Sequence, residues 1–455
     1  MPGVRPIVSV VSIEDQRVYA AVTEAVRLIG GAPASIGPGK RVVVKVNLTQ
    51  APALCGVTNT TVIDAVTRLL ADLGCADIGI ADAPGDGYTP LSYRIYNVDS
   101  VAERYGARLV DLNAEPGVRV DVPVGLGREY VMVPRAIVEA DAVVSVPTLK
   151  LWGGNPMSLS LKNLIGLYGA LDYGYNHNAH EWLPDHPERV LDGEGGRELG
   201  AHMPTVAEAI TAMNLAVKPA LSIIDAVEGG NGKGRNVRLD LVIAGYDSMA
   251  TDVVGMAVGG FDASQHPNFQ TFERWGLGSS RLEDVEVRGL PIAQAAFDLR
   301  RLNDNVLTMP ARWCLRRLSA GELGHLVRVL GYYGFVEPSA APAGKEGLIA
   351  FLADVMEQPN YLSAAVGKLT PLQRDFLALL VERGGTSTSY YDIMAEFSRR
   401  TGDTYVFWPT QRAVMRLGLA YVYAGQAMPY YILADGVPEA LAAPGERRQV
   451  VWPKA

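Results

Sequence analysis

The stretch Val42-Val43-Val44-Lys45-Val46-Asn47-Leu48 decides the reading of this chain. It is a continuous β-branched run broken by a single lysine and closed by an asparagine. Strands buried on both faces read as such unbroken runs, because helices cover both sides of a parallel sheet. Three further runs follow the same plan. Ile78 to Ala81 ends at Asp82, Ala142 to Val146 leads to Lys150, and Leu221 to Ile224 ends at Asp225. Each is followed by a turn rich in Gly or Pro. In open α/β sheets ligands collect just beyond the carboxyl ends of the strands, so lysines, carboxylates and an asparagine are expected around one place.

Outward from these runs, strand and helix patterns alternate through residue 300. Thr60 to Leu73 carries Val62, Val66, Leu69, Leu70 and Leu73 at helical spacing, and Gly74 is its stop signal. Further helices are expected at Val98 to Tyr105, Arg135 to Glu139, Thr205 to Leu215 and Ser248 to Val258. Strands are expected at Arg108 to Leu112, Arg128 to Val133 and Leu239 to Ala244. The fold class is therefore α/β, a largely parallel sheet with helices on both faces and right-handed crossovers. Residues 151–204 interrupt the alternation with a Gly/Asn/His/Asp-rich insertion, a length of connection that is usually functional.

After about residue 305 the strands give way to helices at Ser319 to Leu330, Lys345 to Met356, Pro371 to Arg383, Tyr390 to Arg399 and Thr410 to Leu417. A hairpin, Val422 to Leu433 around Gly425, ends the series. Three helices and a hairpin are the order of a winged helix, whose third helix normally enters a major groove. The expected organisation is an α/β domain over 1–304, a helical region over 305–365, a winged-helix-like domain over 366–440 and a tail over 441–455.

The 455 residues exceed one ordinary core, and 48% hydrophobic with 20% charged residues describes a globular chain. No uncharged apolar segment reaches the roughly 18 residues of a membrane span. The N-terminus reads as a strand and not as a signal peptide, so a cytoplasmic location is expected. Cys55, Cys75 and Cys314 are too scattered for a disulfide framework, a zinc ribbon or an iron–sulfur cluster. The net charge of −8 is uneven: residues 1–304 hold 26 Lys+Arg against 36 Asp+Glu, and residues 305–455 hold 15 against 13. An acidic body does not attract polyanions through its overall field. Phosphate contacts need clustered cations, and Arg399, Arg400, Arg412 and Arg416 are the tail's candidate patch.

Candidate site residues follow from cost. An ammonium in VVVKVNL needs a partner or loses its proton. Only nine lysines occur in the chain, and Lys45, Lys150 and Lys162 all fall near expected strand ends or site loops. These three, with Asn47, Thr58, Asn163 and Lys233 in the glycine run after Asp225, are assigned to binding phosphate or carboxylate oxygens. Asp82, Asp225 and Lys150 are assigned the catalytic roles, with Asp82 and Asp225 holding a divalent cation, serving as general base, or capping the turns they start. His177 and His180 have a spacing that can ligate metal; solvent exposure or general acid/base work are the alternatives for these and for His186 and His202.

Several segments together resemble the family known as domain of unknown function 362. They are VVVKVNL (42–48), the Thr58 to Leu73 turn and helix running into LLADLGCADIGIADAPG (69–85), SVPTLK (145–150), SLKNLIGLYG (160–169), SIIDAVEGGNGKG (222–234) and DSMATDVVG (247–255). Members are often linked to ferredoxin-like cysteine clusters, which this sequence lacks, so the resemblance brings no electron-transfer role. Where such proteins usually show an aromatic residue or His after the second lysine strand, Leu151 and Trp152 stand here. LSAGELGHLVRVLGYYG (318–334) with GKEGLIAFLADVM (344–356) looks like a SAP-type helical pair, and Leu369 onward is similar to winged-helix modules; both touch nucleic acid or dock proteins.

Three functions are carried forward. The first is an enzyme acting on a small anionic metabolite, with or without a divalent metal. The second is a ligand-sensing nucleic-acid-binding protein that uses its tail, and the third is an isomerase or redox accessory protein with a metal cofactor near the histidines.

Overall fold

The computed structural model describes residues 5–48, 56–85, 88–126, 129–152, 155–169, 172, 205–230, 236–303, 308–384, 388–424 and 429–442. The chain divides into two compact units, Met1–Gly234 with Leu239–Arg300, and Arg235–Arg238 with Arg301–Ala455. Cys55, His177, His180, His186, His202, Lys233 and Gly425 lie outside the described residues.

The first unit is built on a ten-stranded sheet. Its strands are β1 (Ile7–Ser12), β2 (Arg41–Lys45), β3 (Asp77–Asp82), β4 (Arg108–Asp111), β7 (Ala142–Ser145), β8 (Thr148–Trp152), β9 (Asn155–Ser158), β10 (Leu221–Gly230), β11 (Asn236–Gly245) and β12 (Glu286–Gly289). They run in the order β12-β1-β11-β10-β7-β2-β3-β4, with β8 and β9 beside β10. β2 is parallel to both β3 and β7, and β10 is parallel to β7 and β8. All four runs singled out in the sequence are therefore neighbours in the sheet. Val42, Val44, Val46, Ile80, Val144 and Ile223 are at most 1% exposed, as expected of strands covered on both faces.

The helix Thr60–Asp72 buries Val62, Ile63, Val66, Leu69 and Leu70 against this sheet. Asn59 caps its start by accepting from Thr61 N at 2.9 Å, and Gly74 leaves it at a φ of +77° that disfavours any side chain. Three features depart from the sequence reading. The Arg128 to Val133 run forms β6 (Tyr130–Pro134), which leaves the main sheet to pair antiparallel with β5 (Gly117–Asp121), a strand whose polar alternation gave no buried signal. A short helix, Thr89–Ile95, follows β3. The start of the insertion is ordered: β8 folds back on β9, and the helix Ser160–Asn163 follows.

In the second unit the helices Ala320–Tyr332 and Lys345–Met356 come first. Pro371–Glu382, β14 (Thr388–Ser389), Tyr390–Thr401, Phe407–Arg416 and the antiparallel pair β15 (Ala420–Ala424) and β16 (Pro429–Ala434) succeed one another after that, with β14 antiparallel to β16. Phe376, Phe397, Phe407 and Tyr431 meet at ring-centroid distances of 5.1 to 6.4 Å and are fully buried. Among the described residues no helix is long and apolar enough to cross a membrane.

Candidate functional site

Because β2, β3 and β7 are parallel and in register, Lys45, Asp82 and Ser145 arrive at one carboxyl edge. Lys45 is 1% exposed. Its Nζ donates to Asp82 Oδ1 at 2.6 Å, to the Val46 carbonyl at 2.6 Å and to Asn163 Oδ1 at 3.4 Å. All three ammonium protons thus have acceptors, which is how a charge this deep in a strand is tolerated. The other oxygen of Asp82 accepts from Leu48 N at 2.6 Å, and Asp82 N donates to Tyr93 Oη at 2.9 Å. Asn163 closes the cluster by donating to the Lys45 carbonyl at 2.9 Å and to Ser145 Oγ at 3.0 Å.

A second set of bonds adjoins the first through the chain just beyond β2. Asn47 N donates to Thr58 Oγ1 at 2.8 Å, Thr58 N returns a bond to the Asn47 carbonyl at 2.8 Å, and the Thr58 hydroxyl donates to the Val146 carbonyl at 2.8 Å. Lys150 Nζ reaches Asn47 Oδ1 at 3.1 Å and the Gly56 carbonyl at 2.5 Å. Asp225 accepts from Asn59 N at 2.6 Å and from Val227 N at 3.0 Å. The four strand-end residues Lys45, Asp82, Lys150 and Asp225 are therefore all bonded to residues 46–48, 56 and 59. One short stretch of main chain gathers them.

Burial pushes the Asp225 carboxyl up to about 7, against the pull of its two backbone donors. Asp252 is likewise pushed up to about 7 by burial, while its two oxygens accept from Ser160 N and Leu161 N at 2.8 Å each. That bidentate cap fixes the start of the helix carrying Lys162 and Asn163. Lys162 is half-buried, and its ammonium is lowered to about 7 by desolvation and by the nearby positive charge of Lys150. Two cationic ends within electrostatic reach of each other, in poorly hydrated surroundings, are the reverse of what a purely structural interior favours.

Both oxygens of Asp82 and both of Asp225 are engaged by groups of the chain itself. Among the described residues no group of three or more His, Cys, Asp or Glu is arranged to hold a metal ion. Asp82 and Asp225 serve here as anchors, one for the Lys45 ammonium and the Leu48 amide, the other for the turn at Asn59.

Ser145, Asn59, Tyr93, Asp252 and Gly166 belong to this site without having been assigned a role from sequence. Gly166 had a detectable signal, since it sits in the Asn163-Leu164-Ile165-Gly166 stretch where any larger residue faces the buried lysine. A Cβ there would lie 2.6 Å from Lys45 Nζ and 2.8 Å from its Cε. Gly166→Ala is expected to push the ammonium off Asp82 and to lower stability by about 1–3 kcal/mol, read by urea unfolding. Unchanged stability would show that Lys45 is not held in place.

Of the arginines singled out in the tail, two are occupied. Arg399 pairs with Glu396 at 2.8 Å, and Arg400 pairs with Glu382 at 2.8 Å and Glu396 at 2.7 Å. Arg400 thereby ties the helix Pro371–Glu382 to Tyr390–Thr401. Arg412 and Arg416 are exposed, one turn apart on Phe407–Arg416, and Trp408 lies one turn before them, also exposed.

Comparison with known proteins places these residues in context. The thylakoid-associated protein sll1697 of Synechocystis sp. is 24% identical over 288 residues, covering 60% of this chain and 79% of that protein. The lactate racemase apoprotein of Thermoanaerobacterium thermosaccharolyticum matches over 54% of this chain and 55% of its own length, at 12% identity and a TM-score of 0.28. The chain thus spans about half of that structure, and a likeness at this level bears on neither fold nor function. The model of the family described as Domain of unknown function (DUF362) matches residues 42–257, the span that runs from β2 past Asp252. Those residues hold every element of the carboxyl-edge cluster, so the site lies within the stretch that is similar to the DUF362 family.

Proposed function

We propose that the carboxyl edge of the sheet binds a small anionic metabolite, bearing carboxylate or phosphate, and acts on it as an enzyme. The observation that carries this reading is the convergence of Lys150 with Asn47 and Thr58 just beyond the strand ends, with Lys162 near enough for the positive charge of Lys150 to lower its ammonium. Like charges repel, and an anion placed between them turns that repulsion into two charge-assisted hydrogen bonds. Lys45 and Asp82 hold the floor, Asn47 and Thr58 set the position of Lys150, and Asn163 sets the end of the helix that bears Lys162. Preorganised cations of this kind stabilise charge without reorganisation cost at the moment of reaction.

Calorimetric titration of the full-length protein with oxalate and with inorganic phosphate tests the reading. Lys150→Met and Lys162→Met are each expected to weaken binding of at least one anion by about 10-fold or more, the value of a hydrogen bond to a charged group. Undiminished binding in both variants rejects the assignment.

A second reading, ligand-linked binding of nucleic acid through the winged-helix-like region, is favoured by one observation. The helix Phe407–Arg416 exposes Trp408, Arg412 and Arg416 at four-residue spacing. This reading predicts affinity for DNA or RNA that falls steeply with salt and is weakened by Arg412→Ala. A flat salt response counts against it.

A further inference from the structure

The arginines of the second unit differ in how they are held. Arg301, Arg312, Arg383, Arg399 and Arg400 each lie within 3.7 Å of a carboxylate of the same unit. Arg328, Arg412 and Arg416 are exposed, and among the described residues none of the three is held by a hydrogen bond or an ion pair. They sit on two helices that pack against each other, Arg328 on Ala320–Tyr332 and the other two on Phe407–Arg416. Exposed rings stand one turn away from these cations. Tyr332 follows Arg328 and is 86% exposed, and Trp408, 38% exposed, precedes Arg412, with Tyr405 at 83% a further turn before it.

We propose that this surface binds single-stranded nucleic acid, with unpaired bases stacked on Trp408 and the exposed tyrosines and with phosphates paired to Arg328, Arg412 and Arg416. The proposal rests on the nucleic-acid reading above and adds to it the strandedness of the partner. Reading a duplex through a helix requires hydrogen-bonding side chains of its first turns to reach base edges. On Phe407–Arg416 the residues able to do so are turned inward. Thr410 and Gln411 are 4% and 7% exposed, and Gln411 accepts from Tyr390 Oη and donates to Met415 Sδ, each at 3.4 Å. The exposed positions of the first turn are Trp408 and Pro409, whose side chains together offer one donor and no acceptor.

A ring of this kind distinguishes poorly between bases but stacks on the face of any of them. In a duplex those faces are already covered by neighbouring base pairs, whereas a single strand leaves them open. The untied guanidinium groups supply the complementary charge that a phosphate backbone needs. The acid nearest to Trp408 in sequence, Asp403, accepts from the Tyr405 amide at 2.8 Å and lies before the helix, at the end away from Arg416.

Fluorescence anisotropy of the full-length protein with labelled oligo-dT and oligo-rU of about 15 nucleotides, and with a duplex of the same length, tests the proposal. The tighter-bound single strand is expected to exceed the duplex in affinity by at least about 10-fold, the value of a stacked base. Trp408→Ala is expected to weaken single-strand binding by about 10-fold, and Trp408→Phe, which keeps a ring on Phe407–Arg416, to restore most of it. Arg412→Ala is expected to lower the slope of log affinity against log salt by about 0.7, the share of one phosphate on a single strand. Duplex binding as tight as that of the better single strand overturns the strandedness and leaves the nucleic-acid reading standing; no salt-dependent binding of any of the three probes overturns both. Single-strand binding that is unchanged in Trp408→Ala and in Arg412→Ala overturns the assignment to this surface.

Discussion

Lys45→Met is expected to destabilise the first unit by about 3–5 kcal/mol, because it strands the Asp82 carboxylate in the sheet with one partner removed. The two side chains are 1% and 3% exposed and 2.6 Å apart. In such surroundings water cannot replace the lost ammonium, so the remaining charge bears most of its desolvation cost. Asp82→Asn is expected to cost a similar amount from the other side, since the buried Lys45 then keeps only neutral acceptors, Val46 O and Asn163 Oδ1. The double variant Lys45→Met with Asp82→Leu should recover a large part of the loss, because removing both charges leaves an apolar interior of similar volume. Urea unfolding of the three variants checks this. If each single change costs under about 1 kcal/mol, the pair is not a buried ion pair in solution.

Asp252→Asn is expected to lower stability by about 1–3 kcal/mol at neutral pH, since one amide oxygen cannot serve both Ser160 N and Leu161 N and a buried N–H is left without its acceptor. The same variant changes how stability depends on pH. A carboxyl raised in the folded protein to about 7 binds its proton more tightly there than in the unfolded chain, where it titrates near 3.8. Between these values the folded state holds the extra proton, so stability declines as pH rises from about 4 to about 7 and is level above that. Asp225 contributes with the same sign. Each group supplies a slope of up to about 1.4 kcal/mol per pH unit within the window. In Asp252→Asn about half of the combined decline should disappear, leaving the share of Asp225. A slope identical to that of the parent protein would mean that Asp252 is ionised throughout.

Much of the first unit was legible because parallel strands buried on both faces leave a plain mark. Val42 to Val46, Ile78 to Ala81 and Ala142 to Val146 needed no tertiary knowledge, and Lys45 stood out as the one residue whose burial demanded a partner. Its partner also came from an adjacent strand end, which the βαβ repeat places beside it. Asp252 was harder to interpret: it lies inside a helix, and its role depends on a segment 91 residues away in sequence, to which no local pattern points. β5 was missed because its residues alternate between half-buried and exposed, with no apolar face to distinguish it from a loop. In the tail, the patch of four arginines looked uniform in sequence. Only the helix packing shows that Glu382 and Glu396 take Arg399 and Arg400 and leave Arg412 and Arg416 on the outer face.

The position of β1 bears on how the protein is made. Its residues pair antiparallel with β11, Val8 opposite Gly245, and parallel with β12, Ile7 opposite Glu286. This strand thus leaves the ribosome ahead of its partners, which follow about 240 and 280 residues behind it. At roughly 5–20 residues per second of synthesis, that is a delay of about 12 seconds or more during which an apolar strand has no place in the sheet. A helper that shields nascent chains, or a pause late in translation, would act on Ile7–Ser12 during that interval.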